Sequence, residues 1–120
     1  MGQEDYEDRF EEYIEGGIRE ETAKSYRCAV DLYYKAVCQL IDYILFKEGI
    51  DVNKLKDRLD KIHILNSELY DIFAIIHGIY RSAYKTIKDK KDCQEIKNGI
   101  KKIILLKNIE GRFKEVAEKI

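Results

Sequence analysis

The 120-residue chain has two histidines, and each has an arginine within a few residues. In "DRLDKIH", Arg58 stands five positions before His63. An imidazole that titrates near neutrality can exchange a proton with a ribose 2′-hydroxyl while a guanidinium neutralises the phosphate. Metal-independent RNA cleavage needs little more. Five residues span about 500° of helical rotation, so on one continuous helix the two side chains stand about 140° apart. The alternative is a solvated arginine and a helix-terminal histidine on a charged face.

In "HGIYRSAY", His77 and Arg81 are four apart and share a helix face, with Tyr84 a turn beyond and Lys85 beside it. This spacing suits joint action better. Because His77 lies within an apolar segment, a hydrogen-bonded structural histidine beside a salt-bridged arginine is the competing reading. A third row, Arg27, Asp31 and Lys35, repeats every four residues, so Asp31 can bridge both cations. Such rows are commonly intrahelical ion pairs contributing about 0.3–0.5 kcal/mol each. Arg58, His63, His77 and Arg81 are therefore the candidate catalytic residues, and Arg27, Asp31, Tyr84 and Lys85 the candidate binding residues.

Other chemistries find no support. The chain contains no glycine-rich phosphate loop, serine elbow, His-Glu-x-x-His or calcium-loop pattern. Cys28, Cys38 and Cys93 form no Cys-x-x-Cys pair and have no zinc spacing. They read as buried free thiols, with a link from Cys28 or Cys38 to Cys93 as the alternative. No metal or cofactor is expected, and whether the chain is an enzyme stays open.

Helices must position these side chains. With 45% hydrophobic and 38% charged residues and no proline, the composition favours long uninterrupted helices in one domain spanning 1–120. Tyr6, Phe10, Tyr13 and Ile14 form the stripe of a first short helix, expected to stop at Gly16 and Gly17. From there a central helix of about thirty residues is expected to run to Gly49, apolar along two adjacent stripes and therefore covered by several neighbours. Leu55, Leu59, Ile62 and Leu65 mark a third helix, started by Asp51 or Asn53. Asn66 or Ser67 caps a fourth carrying Leu69, Ile72, Phe73, Ile76, Ile79, Tyr80, Ala83 and Ile87, in which Gly78 is expected to mark a close helix contact.

Asp92 with Glu95 resembles a capping box opening the last helix, whose apolar positions run from Ile96 to Ala117, with a kink near "NIEGRF". The expectation is an all-α, up-and-down antiparallel bundle of about five helices with one long central helix.

Charge is uneven along the chain. Residues 1–21 carry nine acidic and two basic side chains, and residues 81–120 six acidic and twelve basic, so the ends are −7 and +6. Pairing of the acidic first helix with the basic last helix, within one chain or across a dimer, is one reading; a basic surface for RNA phosphates is the other. No apolar run approaches the roughly 20 residues of a membrane span. "MGQEDYEDRF" has no hydrophobic core of the kind a secretory signal carries, and a cytoplasmic protein is expected.

The segments "AVDLYYKAVCQLIDYILFKEGI", "LYDIFAIIHGIYRSAY" and "DCQEIKNGIKKI" together resemble the HEPN superfamily of small helical domains, over roughly residues 20–105. The stand-alone archaeal members are the most similar. The resemblance implies a bundle that dimerises, in a family that includes ribonuclease toxins, partners of minimal nucleotidyltransferases, and non-catalytic RNA- or nucleotide-associated modules. Catalytic members carry an arginine followed after four to six intervening residues by a histidine, a spacing that Arg58 and His63 match. On geometry alone, and not through the resemblance, His77 and Arg81 supply the same side chains in reverse order. The leading expectation is an RNA- or nucleotide-associated homodimer, for which the resemblance also suggests a nucleotidyltransferase-type partner. The alternatives are a metal-independent endoribonuclease and a purely structural interaction module.

Overall fold

A computed structural model describes residues 2–50 and 55–120, with only the helical backbone described for 55–57. Among these residues the chain is all-α, with six helices and no strand: α1 (Gln3–Thr22), α2 (Tyr26–Lys47), α3 (Leu55–Leu65), α4 (Ser67–Ser82), α5 (Lys90–Leu106) and α6 (Arg112–Ala117). No helix is long and apolar enough to cross a membrane among the described residues.

α2 is the centre of the bundle, and α1, α3, α4 and α5 all pack on it. Its two apolar stripes are buried as the periodicity requires, from Ala29 and Val30 to Ile44 and Leu45. It is shorter than expected because Gly16 and Gly17 do not end α1. Both lie buried within α1, and a Cβ on Gly17 would overlap the ring of Tyr33. The glycines let two helices approach closely instead of stopping one.

The stop comes at Lys24, in the left-handed region at φ 63°. Ser25 N–H bonds the Glu20 carbonyl at 2.8 Å and Lys24 N–H that of Glu21 at 2.9 Å, the paired bonds of a Schellman motif. The same device ends α2 at Gly49, as the sequence suggests, and α5 at Asn108. The supposed kink near "NIEGRF" is therefore a true break, and α6 is a separate helix.

Asn66 caps α4, its side chain accepting from Leu69 N–H at 3.0 Å. The capping box of α5 is formed by Asp89 and Asp92, three residues before the expected pair. α4 ends at Ser82, so Ile87 falls in the following connection and is 96% exposed. Gly78 meets no neighbour; the close approach of α4 to α5 is at Gly99, against Ile76. Asp51 and Asn53, the expected caps of α3, lie outside the described residues.

The two ends of the charge distribution meet within one chain. Arg112 in α6 binds Asp8 at 2.5 Å and Glu11 at 2.6 Å, and Lys119 reaches Glu11 and Glu15. Lys97 of α5 binds Glu21 at 2.9 Å, both side chains only 13% exposed. Arg112 and Lys119 hold the Glu11 carboxyl below its usual range.

Candidate functional site

The α3 pair does not assemble. Arg58 turns to α2, where its Nε and Nη2 donate to the two carboxylate oxygens of Asp42 at 2.7 and 2.9 Å. Each side chain of that pair is 17% exposed. Burial opposes the charge on Arg58, but the bidentate bond to Asp42 outweighs it and raises the guanidinium pKa. His63 lies exposed at the other end of α3, its ring 4.6 Å from that of Tyr70. The rotation of the helix sends the two groups to different neighbours.

His77 and Arg81 are closer to working together. His77 is half-buried among the rings of Tyr34, Phe73 and Tyr80, with centroids at 5.9, 6.3 and 6.4 Å. Burial first, and the nearby Arg81 charge second, lower its pKa and so favour the neutral imidazole. Arg81 is exposed one turn along α4.

The N-terminal half of α2 and the end of α4 bring the binding candidates together. Arg27, Cys28, Asp31 and Lys35 form one wall of a groove of about 550 Å³, and Tyr80, Ala83 and Tyr84 form the other. Asp31 pairs with Lys35 at 3.1 Å, which raises the lysine pKa. Arg27 does not join that pair. Its guanidinium carbon sits 5.4 Å from the centre of the Tyr84 ring, a cation–π position.

Tyr34, Tyr80 and Tyr84 form an aromatic series running from core to surface. Tyr34 stacks on Tyr80 with centroids 3.9 Å apart, and Tyr84 meets Tyr80 edge-on at 6.0 Å. The hydroxyls of Tyr80 and Tyr84 are 3.5 Å apart; that bond, with burial, pushes the Tyr80 pKa up to about 12. Tyr84 is 66% exposed although large and aromatic. On its far side a second hollow is lined by Gly78, Arg81, Ser82 and Lys85. Tyr80 and Tyr84 thus stand between two hollows, with Arg27 and Lys35 on one side and Arg81 and Lys85 on the other.

The turn after α4 fixes this arrangement. Lys85 and Thr86 N–H groups bond the Ser82 carbonyl at 3.0 and 2.9 Å, the Thr86 hydroxyl adds a third bond, and Lys88 reaches the Ser82 hydroxyl. Of the residues the sequence singles out, Arg27, Asp31, Lys35, Arg81, Tyr84 and Lys85 therefore gather here, with His77 just beneath. Tyr80, Tyr34 and Cys28 belong to the same region, although their sequence context does not mark them as functional. Tyr80 reads as a core position by period, and only its proximity to Tyr84 at four-residue spacing signals a surface role.

Cys28 is exposed, contrary to the expectation of a buried thiol, while Cys38 and Cys93 are buried; all three are free. No cluster of three or more histidine, cysteine or acidic side chains able to hold a metal occurs among the described residues. No family model, curated protein or solved structure matches the chain.

Proposed function

We propose that this chain is a HEPN-like helical bundle acting as an RNA- or nucleotide-associated module, with the groove between α2 and the end of α4 as its contact surface. The observation that carries this reading is the exposed Tyr84 ring, covered on one side by Arg27 and flanked by Arg81 and Lys85. A nucleic acid strand presents flat bases and a charged backbone at each unit. An exposed tyrosine offers a stacking surface worth about 1–3 kcal/mol per base, and the cations offset phosphate charge. Asp31 is compatible with this because Lys35 offsets its charge.

Binding of labelled single-stranded RNA, measured by fluorescence anisotropy in EDTA at low salt, tests the reading. Saturable binding that weakens in Tyr84→Ala supports it. Absence of binding by the wild type would refute it.

One observation favours a metal-independent endoribonuclease as the second reading. His77 packs beside the Tyr80 ring one turn before Arg81, at the edge of the same surface, where burial and Arg81 lower its pKa. A neutral imidazole can accept the 2′-hydroxyl proton, and a guanidinium can stabilise the phosphorane charge. Cleavage in EDTA that disappears in His77→Ala would establish this reading over simple binding.

Association with a second copy or with a nucleotidyltransferase-type protein also belongs to the proposal. Ile64 and Ile75 are 84% and 65% exposed, and the exposed side of α4 has acidic Glu68 and Asp71 toward one end and basic Arg81 toward the other. An antiparallel copy of α4 would complement that charge order. Light scattering at micromolar concentration distinguishes a dimer from a monomer.

A further inference from the structure

A second cationic hollow lies away from the Tyr84 groove, where the α1–α2 turn faces α5. It has a volume of about 430 Å³ and is lined by Lys24, Lys90, Lys97 and Lys119 and by the carboxylate-bearing Glu21, together with Tyr26, Tyr33 and the last residue, Ile120. The charge of Glu21 is already compensated inside the fold. Its carboxylate accepts from Lys97 at 2.9 and 3.1 Å and from the Tyr33 hydroxyl at 2.7 Å. Lys97 is fixed by those bonds and by its place over the Tyr33 ring, 5.8 Å from the centroid. Lys119 is shared with Glu11 and Glu15.

Lys24 and Lys90 are different. Both are exposed, and neither bonds a carboxylate among the described residues. Lys24 is set in place by the Schellman turn, and Lys90 is the first residue of α5. The carboxylate of the adjacent Asp89 is turned to the Asp92 N–H and caps the helix. Two lysines without a carboxylate partner thus line a hollow that the immobilised Lys97–Glu21 pair also lines.

We propose that this hollow binds a multiply charged phosphate group, with Lys24 and Lys90 supplying the charge contacts beside the fixed Lys97. The site is distinct from the Tyr84 groove and does not depend on that groove being functional. The phosphate has two sources of the same chemistry, a free diphosphate or the backbone of a nucleic acid strand. The start of α2 contributes to both hollows, Tyr26 to this one and Arg27 to the Tyr84 groove.

The test is calorimetric titration with sodium pyrophosphate at low salt, comparing wild type, Tyr84→Ala and the double variant Lys24→Gly/Lys90→Gln. Glycine suits the positive φ at position 24, and position 90 is exposed, so the variant keeps the fold; circular dichroism and thermal melting verify this. Saturable binding by the wild type is expected, about tenfold weaker in the double variant and unchanged in Tyr84→Ala. No saturable binding, or binding that the double variant leaves intact, overturns the site.

Competition with labelled single-stranded RNA then assigns the source. Displacement of RNA by pyrophosphate, abolished in the double variant, identifies the backbone phosphate. Pyrophosphate binding without displacement identifies the free anion. Tyr84→Ala separates the two proposals, since it weakens RNA binding at the groove while sparing pyrophosphate here.

Discussion

Arg58 holds both carboxylate oxygens of Asp42 across the α2–α3 contact, which commits the guanidinium to the fold. Removing one partner leaves the other charge half-buried and unpaired. Arg58→Ala is expected to cost about 2–3 kcal/mol, below the range for fully buried pairs because some solvent reaches this one. Adding Asp42→Ala should recover part of the loss. Urea unfolding of the two single variants and the double variant gives the coupling energy. A purely catalytic Arg58 would instead leave the unfolding midpoint unchanged.

The glycines make a second contrast. Gly17 lies where a Cβ would overlap Tyr33, whereas Gly78 on α4 has nothing nearby. Gly17→Ala therefore forces α1 and α2 apart and should destabilise by about 1–3 kcal/mol. Gly78→Ala should stabilise by up to about 1 kcal/mol, because alanine removes backbone freedom from the unfolded chain and fits the helix. Thermal unfolding of both variants checks the sign of each.

These two residues also mark how far the sequence can be read. Apolar periodicity identifies the buried faces of α2, α4 and α5 because each buried side chain repeats with the helical turn. It cannot tell a glycine that ends a helix from one that admits a neighbour, since that depends on what crosses it. The same limit explains Lys24: the left-handed stop of α1 falls on a residue type that carries no stop signal. At the candidate site, the four-residue spacings correctly place Arg27, Asp31 and Lys35 on one face and His77 above Arg81. That Tyr84 would close a groove against the α2 row is a tertiary fact. So is the capture of Arg58 by Asp42, sixteen residues away.

Lys24 offers a prediction of its own. A non-glycine residue at φ 63° carries a steric cost that glycine does not. Lys24→Gly should raise stability by about 0.5–1 kcal/mol, the gain being reduced by the greater freedom of glycine in the unfolded chain. A thermal melt at fixed pH and salt measures it, and a lower melting temperature would mean that the lysine side chain contributes more than its backbone costs.

His77 should give the fold a pH dependence. Burial first, and Arg81 second, lower its pKa below the unfolded value near 6.5. The unfolded chain therefore binds the proton more readily than the folded one in the interval between the two pKa values. Stability from this residue is complete above about pH 6.5 and is lost as pH falls toward the folded pKa. Denaturation midpoints from about pH 7.5 down to about pH 5 should decline less steeply in His77→Gln than in the wild type. Equal slopes would show that the imidazole protonates without resistance in the folded chain.

The groove itself is best separated into its stacking and charge components. If a strand lies over Tyr84, removing the ring takes away the surface on which a base stacks while leaving the phosphate charges paired. Tyr84→Ala should therefore weaken single-stranded RNA binding by about 1–3 kcal/mol without changing the slope of log K against log salt. Arg81→Gln or Lys85→Gln should do the reverse, reducing that slope by about 0.7 for each phosphate that is no longer neutralised in a single strand. Arg27 belongs to both classes because it covers the Tyr84 ring, so Arg27→Gln should lower affinity and slope together. Anisotropy titrations between about 25 and 200 mM salt, a range in which single-strand binding of this kind weakens strongly, resolve the three patterns. Affinity and slope that stay at the wild-type values in all the variants would place the RNA elsewhere on the bundle.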